Sequence, residues 1–224
     1  MAEKPEKPWP NWYKKPASET EEGRQRLSVY YLALGRFTHR FAQAELSVHS
    51  VLRHYAGMTI EVARALLSGV RIQETGRQLG RLHEIGVVPD EKWGELKYLF
   101  DHLGVINGAR NEIFHHGAIN IAEGDGIVTN AAMALVEDRI TAFKISVESL
   151  DAMTADLRKI LVHLHIGHMG RPPLKAAHAT LDEILRASWR YKHQQLPPKK
   201  SHKSASSDHA STQVRKEPPE SSQE

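Results

Sequence analysis

The segment "ARNEIFHHGA", residues 109–118, sets an arginine, an asparagine and two histidines within about two turns of a single helix. Arginine grips a phosphate through a flat fork of N–H donors. Histidine moves protons near neutral pH, and a primary amide can orient either neighbour. The set reads as phosphate-handling chemistry. Arg110 would hold the anion, a histidine of the last turn, His115 or His116, would transfer protons, and Asn107 or Asn111 would orient them. No acidic cluster stands beside them at ligand spacing, and the chain has no cysteine. Disulfides, thiolate catalysis and cysteine-based zinc sites are thereby excluded. The implied chemistry uses no metal and no other cofactor.

The spacing also predicts how these groups are presented. A helix is expected from about Pro89-Asp90 to the last turn before Gly117, a suitable C-terminal stop. Its apolar seam runs through Leu96, Leu99, Leu103 and Ile106, then meets Arg110 before reaching Ile113. Stranding a charge in a dry seam costs several kcal/mol. Arg110 must therefore find an acidic partner, which Glu45 beside the first seam could be if the two helices are neighbours, or open into a polar cleft. Gly104, Gly108, Asn111 and His115 share a neighbouring face, where the two glycines predict a close approach by another helix. A histidine in the last turn also feels the negative end of the helix dipole, which favours its charged form.

Arg110-Asn111-Glu112-Ile113-Phe114-His115 resembles the signature of the HEPN superfamily: an arginine, a polar residue, and a histidine a few positions on. In that superfamily the motif closes a long helix of a small bundle, often just before a glycine. The resemblance covers roughly residues 25–190. It implies that Arg110 and His115 are catalytic, that Asn111 is the characteristic polar residue, and that the protein is a homodimer with facing motifs. Active members are metal-independent endoribonucleases in which the RNA 2′-hydroxyl attacks the adjacent phosphate and leaves a cyclic phosphate. Some serve as toxins, with an antitoxin or a nucleotidyltransferase as partner. Others are inactive binding modules, and this is the alternative reading here.

The elements that must position the motif are mainly helical. Tyr30, Leu34, Phe37, Phe41, Ala44, Val48, Val51 and Tyr55 alternate spacings of four and three along one long helix. A second seam is expected through Val136, Ile140, Phe143, Val147 and Leu150, resuming at Met153, Leu157, Ile160 and Leu164. A shorter one follows Arg171 through Leu174, Ala177, Leu181, Ile184 and Leu185. Residues 59–86 read as one or two short helices, and "INIAEGDGIVTNA" as a small β-hairpin turning at Asp125-Gly126. The expected fold is all-α: an antiparallel up-and-down bundle with long helices and a small β-hairpin insertion. Residues 1–22 form a flexible lead-in, 23–190 the helical domain and 191–224 a disordered tail rich in polar residues.

Bulk properties narrow the classes further. Net charge is +3 and pI about 9.0, well short of the concentrated charge of a dedicated duplex-DNA binder. Mean hydropathy is −0.48. No apolar run approaches the roughly 18 residues of a membrane span, and no secretory leader is legible, so a cytoplasmic protein is expected. His163, His165 and His168 in "HLHIGHMG" invite a metal reading, but their spacing puts them on different sides of a helix without a nearby carboxylate in sequence. They read as a fraying, partly exposed helix end, and His102 as a surface group.

Overall fold

The computed structural model describes residues 20–124, 126–135, 139–170 and 186–193. The protein is mostly helical, with a small three-stranded antiparallel sheet. In chain order the elements are α1 (Glu21–Tyr55), α2 (Ile60–Leu67), α3 (Ile72–Glu84), α4 (Asp90–His116), β1 (Ala118–Ile119), β2 (Gly126–Thr129), β3 (Ala142–Ile145) and α5 (Val147–His163). A π-helical turn, Leu164–His168, extends α5. The helix expected after Arg171, the segment before Thr20 and the tail beyond 193 lie outside the described residues.

The first seam is the spine of the core. Thr20 caps α1 by accepting the Gly23 N–H at 3.0 Å, with Glu21 and Glu22 complementing the positive helix end. Tyr30, Ala33, Phe37, Phe41, Ala44, Val48 and Val51 are buried along one face, and burial pushes the Tyr30 phenol up to about 12. This face packs along α5, where Leu150, Met153, Leu157 and Ile160 are sealed from solvent, and it also meets α3. In α4 the buried set is Leu96, Leu99, Leu103, Ile106, Ala109 and Ile113, packed against α3, α5 and β2. Each large apolar side chain so buried contributes about 1.5–3 kcal/mol relative to exposure.

One expected helical stretch is a strand. β1 pairs with β2 through Ala118↔Val128 and Ile119↔Ile127, and β2 pairs with β3 through Val128↔Phe143. Ile140 lies outside any helix and is exposed, while Phe143 and Ile145 point inward from β3, with Lys144 exposed between them. Val136 lies outside the described residues. Thr141-Ala-Phe-Lys-Ile145 fits a period of two as well as it fits the four–three spacing, and Thr, Phe and Ile favour strands. Asn130 fixes the approach, its Oδ1 accepting the Thr141 N–H at 2.7 Å. Ser146 then starts α5 by accepting the Ser149 N–H. Close packing requires Gly126: a β-carbon there would lie 2.9 Å from Ile145 Cγ2.

The histidines past α5 are keys between helices, not a fraying end. Among the described residues no cluster of three or more potential ligands could hold a metal ion. His163 Nδ1 lies 3.0 Å from Glu95 Oε1 on α4, and His165 Nε2 lies 2.9 Å from Ser47 Oγ on α1. His168 is buried, its Nδ1 3.0 Å from the Tyr55 hydroxyl. With the phenol donating to Nδ1, the ring proton sits on Nε2, which faces Glu95 Oε2 at 3.4 Å. Lys92 joins the cluster by donating to the Gly167 carbonyl at 2.9 Å.

A second polar key pins residues 186–193. Buried Asp156 on α5 accepts the backbone N–H groups of Arg190 and Tyr191 and lies 2.9 Å from His102 Nε2. His102 is therefore an interior group, contrary to the surface position its sequence context predicts. Trp189 stacks on His102 at 4.1 Å, and the Lys159 ammonium lies 4.3 Å from the indole centroid.

Burial is the main cause that holds the His168 pKa below its ordinary value of 6.5, assisted by Lys92, His163 and His54 and opposed by Glu95. The unfolded chain therefore takes up a proton at this ring at a higher pH than the folded one, so this ring's contribution to stability falls as pH drops below about 6.5. His168→Gln should lose less stability than the wild type between about pH 7.5 and pH 5.5 in urea titrations; an equal or larger loss would contradict the assignment.

Candidate functional site

The motif occupies the last two turns of α4. The helix stops at Gly117, whose φ of 66° suits glycine, with its N–H bonded to the Ile113 carbonyl at 2.9 Å. Ile106, Ala109 and Ile113 anchor this end in the core. Arg110 leaves the same seam half-buried, and its guanidinium lies over aromatic rings. The guanidinium carbon lies 5.4 Å from the Phe41 ring centroid on α1 and 5.0 Å from that of Phe114, one turn along α4. Nη1 donates to Asn111 Oδ1 at 3.0 Å.

What surrounds Arg110 is aromatic and amide, not acidic. Among the described residues no carboxylate comes within 4.0 Å of it, and the Glu45 pairing expected from the sequence does not form. Glu112, the nearest acid in sequence, has its carboxylate 3.5 Å from His116 Nε2 instead. The remaining guanidinium N–H groups have no protein acceptor among the described residues. A cation held against two rings gains roughly 0.5–2 kcal/mol depending on desolvation. That attraction fixes its position without neutralising its charge.

The other motif groups are distributed as follows. Asn107 is only 7% exposed, and its amide makes no hydrogen bond among the described residues. Asn107, Arg110, Asn111 and Phe114 follow one another with spacings of three, one and three along a single face. His115 is exposed, its ring centroid 6.4 Å from that of half-buried His116. It lies roughly 40° round the helix from Asn111 and roughly 140° from Arg110. No hydrogen bond joins His115 to Arg110. Within one chain the structure brings arginine, amides and phenyl rings together, and leaves the imidazole on an adjoining exposed face.

The expected close helix contact at Gly104 and Gly108 does not form among the described residues: a β-carbon at either would meet nothing within 4 Å. Both glycines are exposed, so α4 presents a narrow open face ending at His115. Clefts lie away from the motif, one of them reaching Gly104. One of 580 Å³ opens between α3 and α4 over Trp93 and Phe100, and another of 420 Å³ lies between α1 and the sheet. Motif residues line neither. Phe41 and Phe114 are the site residues that sequence reasoning passed over. The signal available for Phe114 was its spacing of four from Arg110, which stacks side chains on one helical face.

Comparison of the chain with family models, curated proteins and solved structures finds no match. The site is read from its own geometry.

Because Arg110 is clamped by rings and not sealed in an ion pair, Arg110→Ala should cost about 1–2 kcal/mol of folding stability. Breaking a buried ion pair would cost about 3–5 kcal/mol. Urea unfolding of the two proteins distinguishes these values, and a loss in the higher range would place a buried acid beside the guanidinium.

Proposed function

We propose that this chain is a HEPN-type, metal-independent endoribonuclease of toxin or defence type, acting in the cytoplasm as a homodimer. The observation that carries the reading is the partly buried Arg110 guanidinium with no carboxylate partner among the described residues. A cation fixed in place and left without a counter-ion is prepared for an anion, and the flat donor fork fits a phosphate. The helices are read as an antiparallel up-and-down bundle, with α4 carrying the motif at one end. No helix among the described residues is long and apolar enough to cross a membrane.

In the proposed reaction the RNA 2′-hydroxyl attacks the adjacent phosphorus, its oxygen forming the new P–O bond as its proton is taken up. The bond to the 5′-oxygen breaks and that oxygen is protonated, leaving a 2′,3′-cyclic phosphate and a 5′-hydroxyl. Arg110 stabilises the charge added to the phosphate, His115 transfers protons, Asn111 orients the guanidinium through Oδ1, and Asn107 and His116 contact the substrate. Arg110 and His115 diverge by roughly 140° on one helix. The reading therefore requires a second copy, seated on the open Gly104–Gly108 face, to bring two motifs together. An antitoxin or a nucleotidyltransferase would be the neutralising partner.

The divergence and the open surface also favour a second reading, a catalytically inactive dimerisation and binding module. Incubating the purified protein with mixed RNA in EDTA separates the two. The enzyme reading expects cleavage to cyclic-phosphate ends, reduced roughly 10²–10⁴-fold in His115→Ala and lost in Arg110→Ala. Cleavage that survives both substitutions would retire this site, and intact RNA with saturable binding would establish the second reading.

A further inference from the structure

We propose that Phe114 is a stacking platform for an unpaired base next to the phosphate held at Arg110. The proposal deepens the ribonuclease reading and rests on it.

Phe114 occupies the last turn of α4, one turn beyond Arg110, and is 50% exposed. Its neighbours along α4 in the core seam, Ala109 and Ile113, are almost fully buried. The ring is not a stray apolar group, because the guanidinium carbon lies 5.0 Å from its centroid. That contact fixes one flank of the phenyl and leaves about half of the residue's surface free. A phosphate on the guanidinium would thus sit beside a half-exposed aromatic ring. Aromatic side chains beside a cation are the recurring platform for single-stranded nucleic acid, because every base offers a π-face.

Two neighbours suit the same occupant. Asn107, more than nine-tenths buried and without a hydrogen-bond partner among the described residues, stands on the same face as Phe114, about two turns before it. The amide carries both a donor and an acceptor, the combination that a base edge presents. Asn111 spends its oxygen on Arg110 and keeps its N–H groups. An RNA duplex satisfies neither requirement: its bases are stacked inward, and its deep, narrow major groove excludes side chains. A loop, an end or an unpaired strand satisfies both.

The test uses the full-length protein in EDTA and fluorescence anisotropy with a labelled single-stranded oligonucleotide carrying 2′-O-methyl groups, which cannot be cleaved. Wild type should bind the strand more tightly than the same sequence in a duplex. Phe114→Leu should weaken single-strand binding about 5- to 150-fold, the range of one stacked base, while Phe114→Tyr retains it. An abasic sugar scanned along the strand should weaken wild type at one position and have no effect there on Phe114→Leu. Size-exclusion chromatography should give the same oligomeric state for all three proteins. Unchanged binding by Phe114→Leu, with binding lost in Arg110→Ala, overturns the platform and leaves the ribonuclease reading standing. A changed oligomeric state assigns the ring to a subunit contact and also overturns the platform. Absence of both binding and cleavage of RNA by wild type overturns the two together.

Discussion

A guanidinium emerging from an apolar seam has to be held by something, and at position 110 the holder is a pair of phenyl rings. Phe41 belongs to α1 and Phe114 to the last turn of α4, so the clamp ties the end of α4 to the spine of the core. Attraction to a ring face keeps the charge at full strength, whereas a carboxylate would cancel it. The consequence is a cation fixed in direction and still lacking a partner of opposite sign among the described residues. Every functional statement made for this protein follows from that one condition.

The condition stands out against two clusters in which buried polar groups from separate elements meet. Asp156 collects two backbone N–H groups and an imidazole. Glu95 lies between two histidines from the turn after α5, and the Tyr55 hydroxyl engages the outer nitrogen of one of them. Both clusters join separate helices, so their satisfaction and the integrity of the core are a single matter. Arg110 and Asn107 depart from this habit on neighbouring turns of one face. Two buried donors, His168 Nε2 and Trp189 Nε1, also lack a hydrogen-bond partner among the described residues, so what sets Arg110 apart is its full charge and its place beside the Asn111 amide.

Much of this was legible from residue spacing. The seams of α1 and α4, the stop at Gly117 and the position of Arg110 in the seam all follow from a period near 3.6 and the conformational freedom of glycine. β3 was not legible, because residues 141–145 satisfy two periods at once and the deciding contact, Val128 with Phe143, is remote in sequence. The roles of His102 and His168 were hidden for the same reason: their partners, Asp156, Tyr55 and Glu95, lie scores of residues away. Glycine spacing at 104 and 108 predicted a close helix contact, and that no such contact forms among the described residues could be learned only from coordinates. Asking which residue at position 114 could touch Arg110 would have exposed half of the clamp.

The central claim is the availability of the Arg110 charge to an anion, and it can be observed at the nitrogen atoms themselves. Side-chain ¹⁵N NMR of the full-length protein, with Arg110 assigned by comparison with Arg110→Lys, can be followed while dimethyl phosphate is added. The account predicts that the Arg110 guanidinium signals move in a saturable manner, ahead of the other arginines. Signals from Arg110 that stay fixed while exposed arginines respond would show the charge already neutralised, and would contradict it.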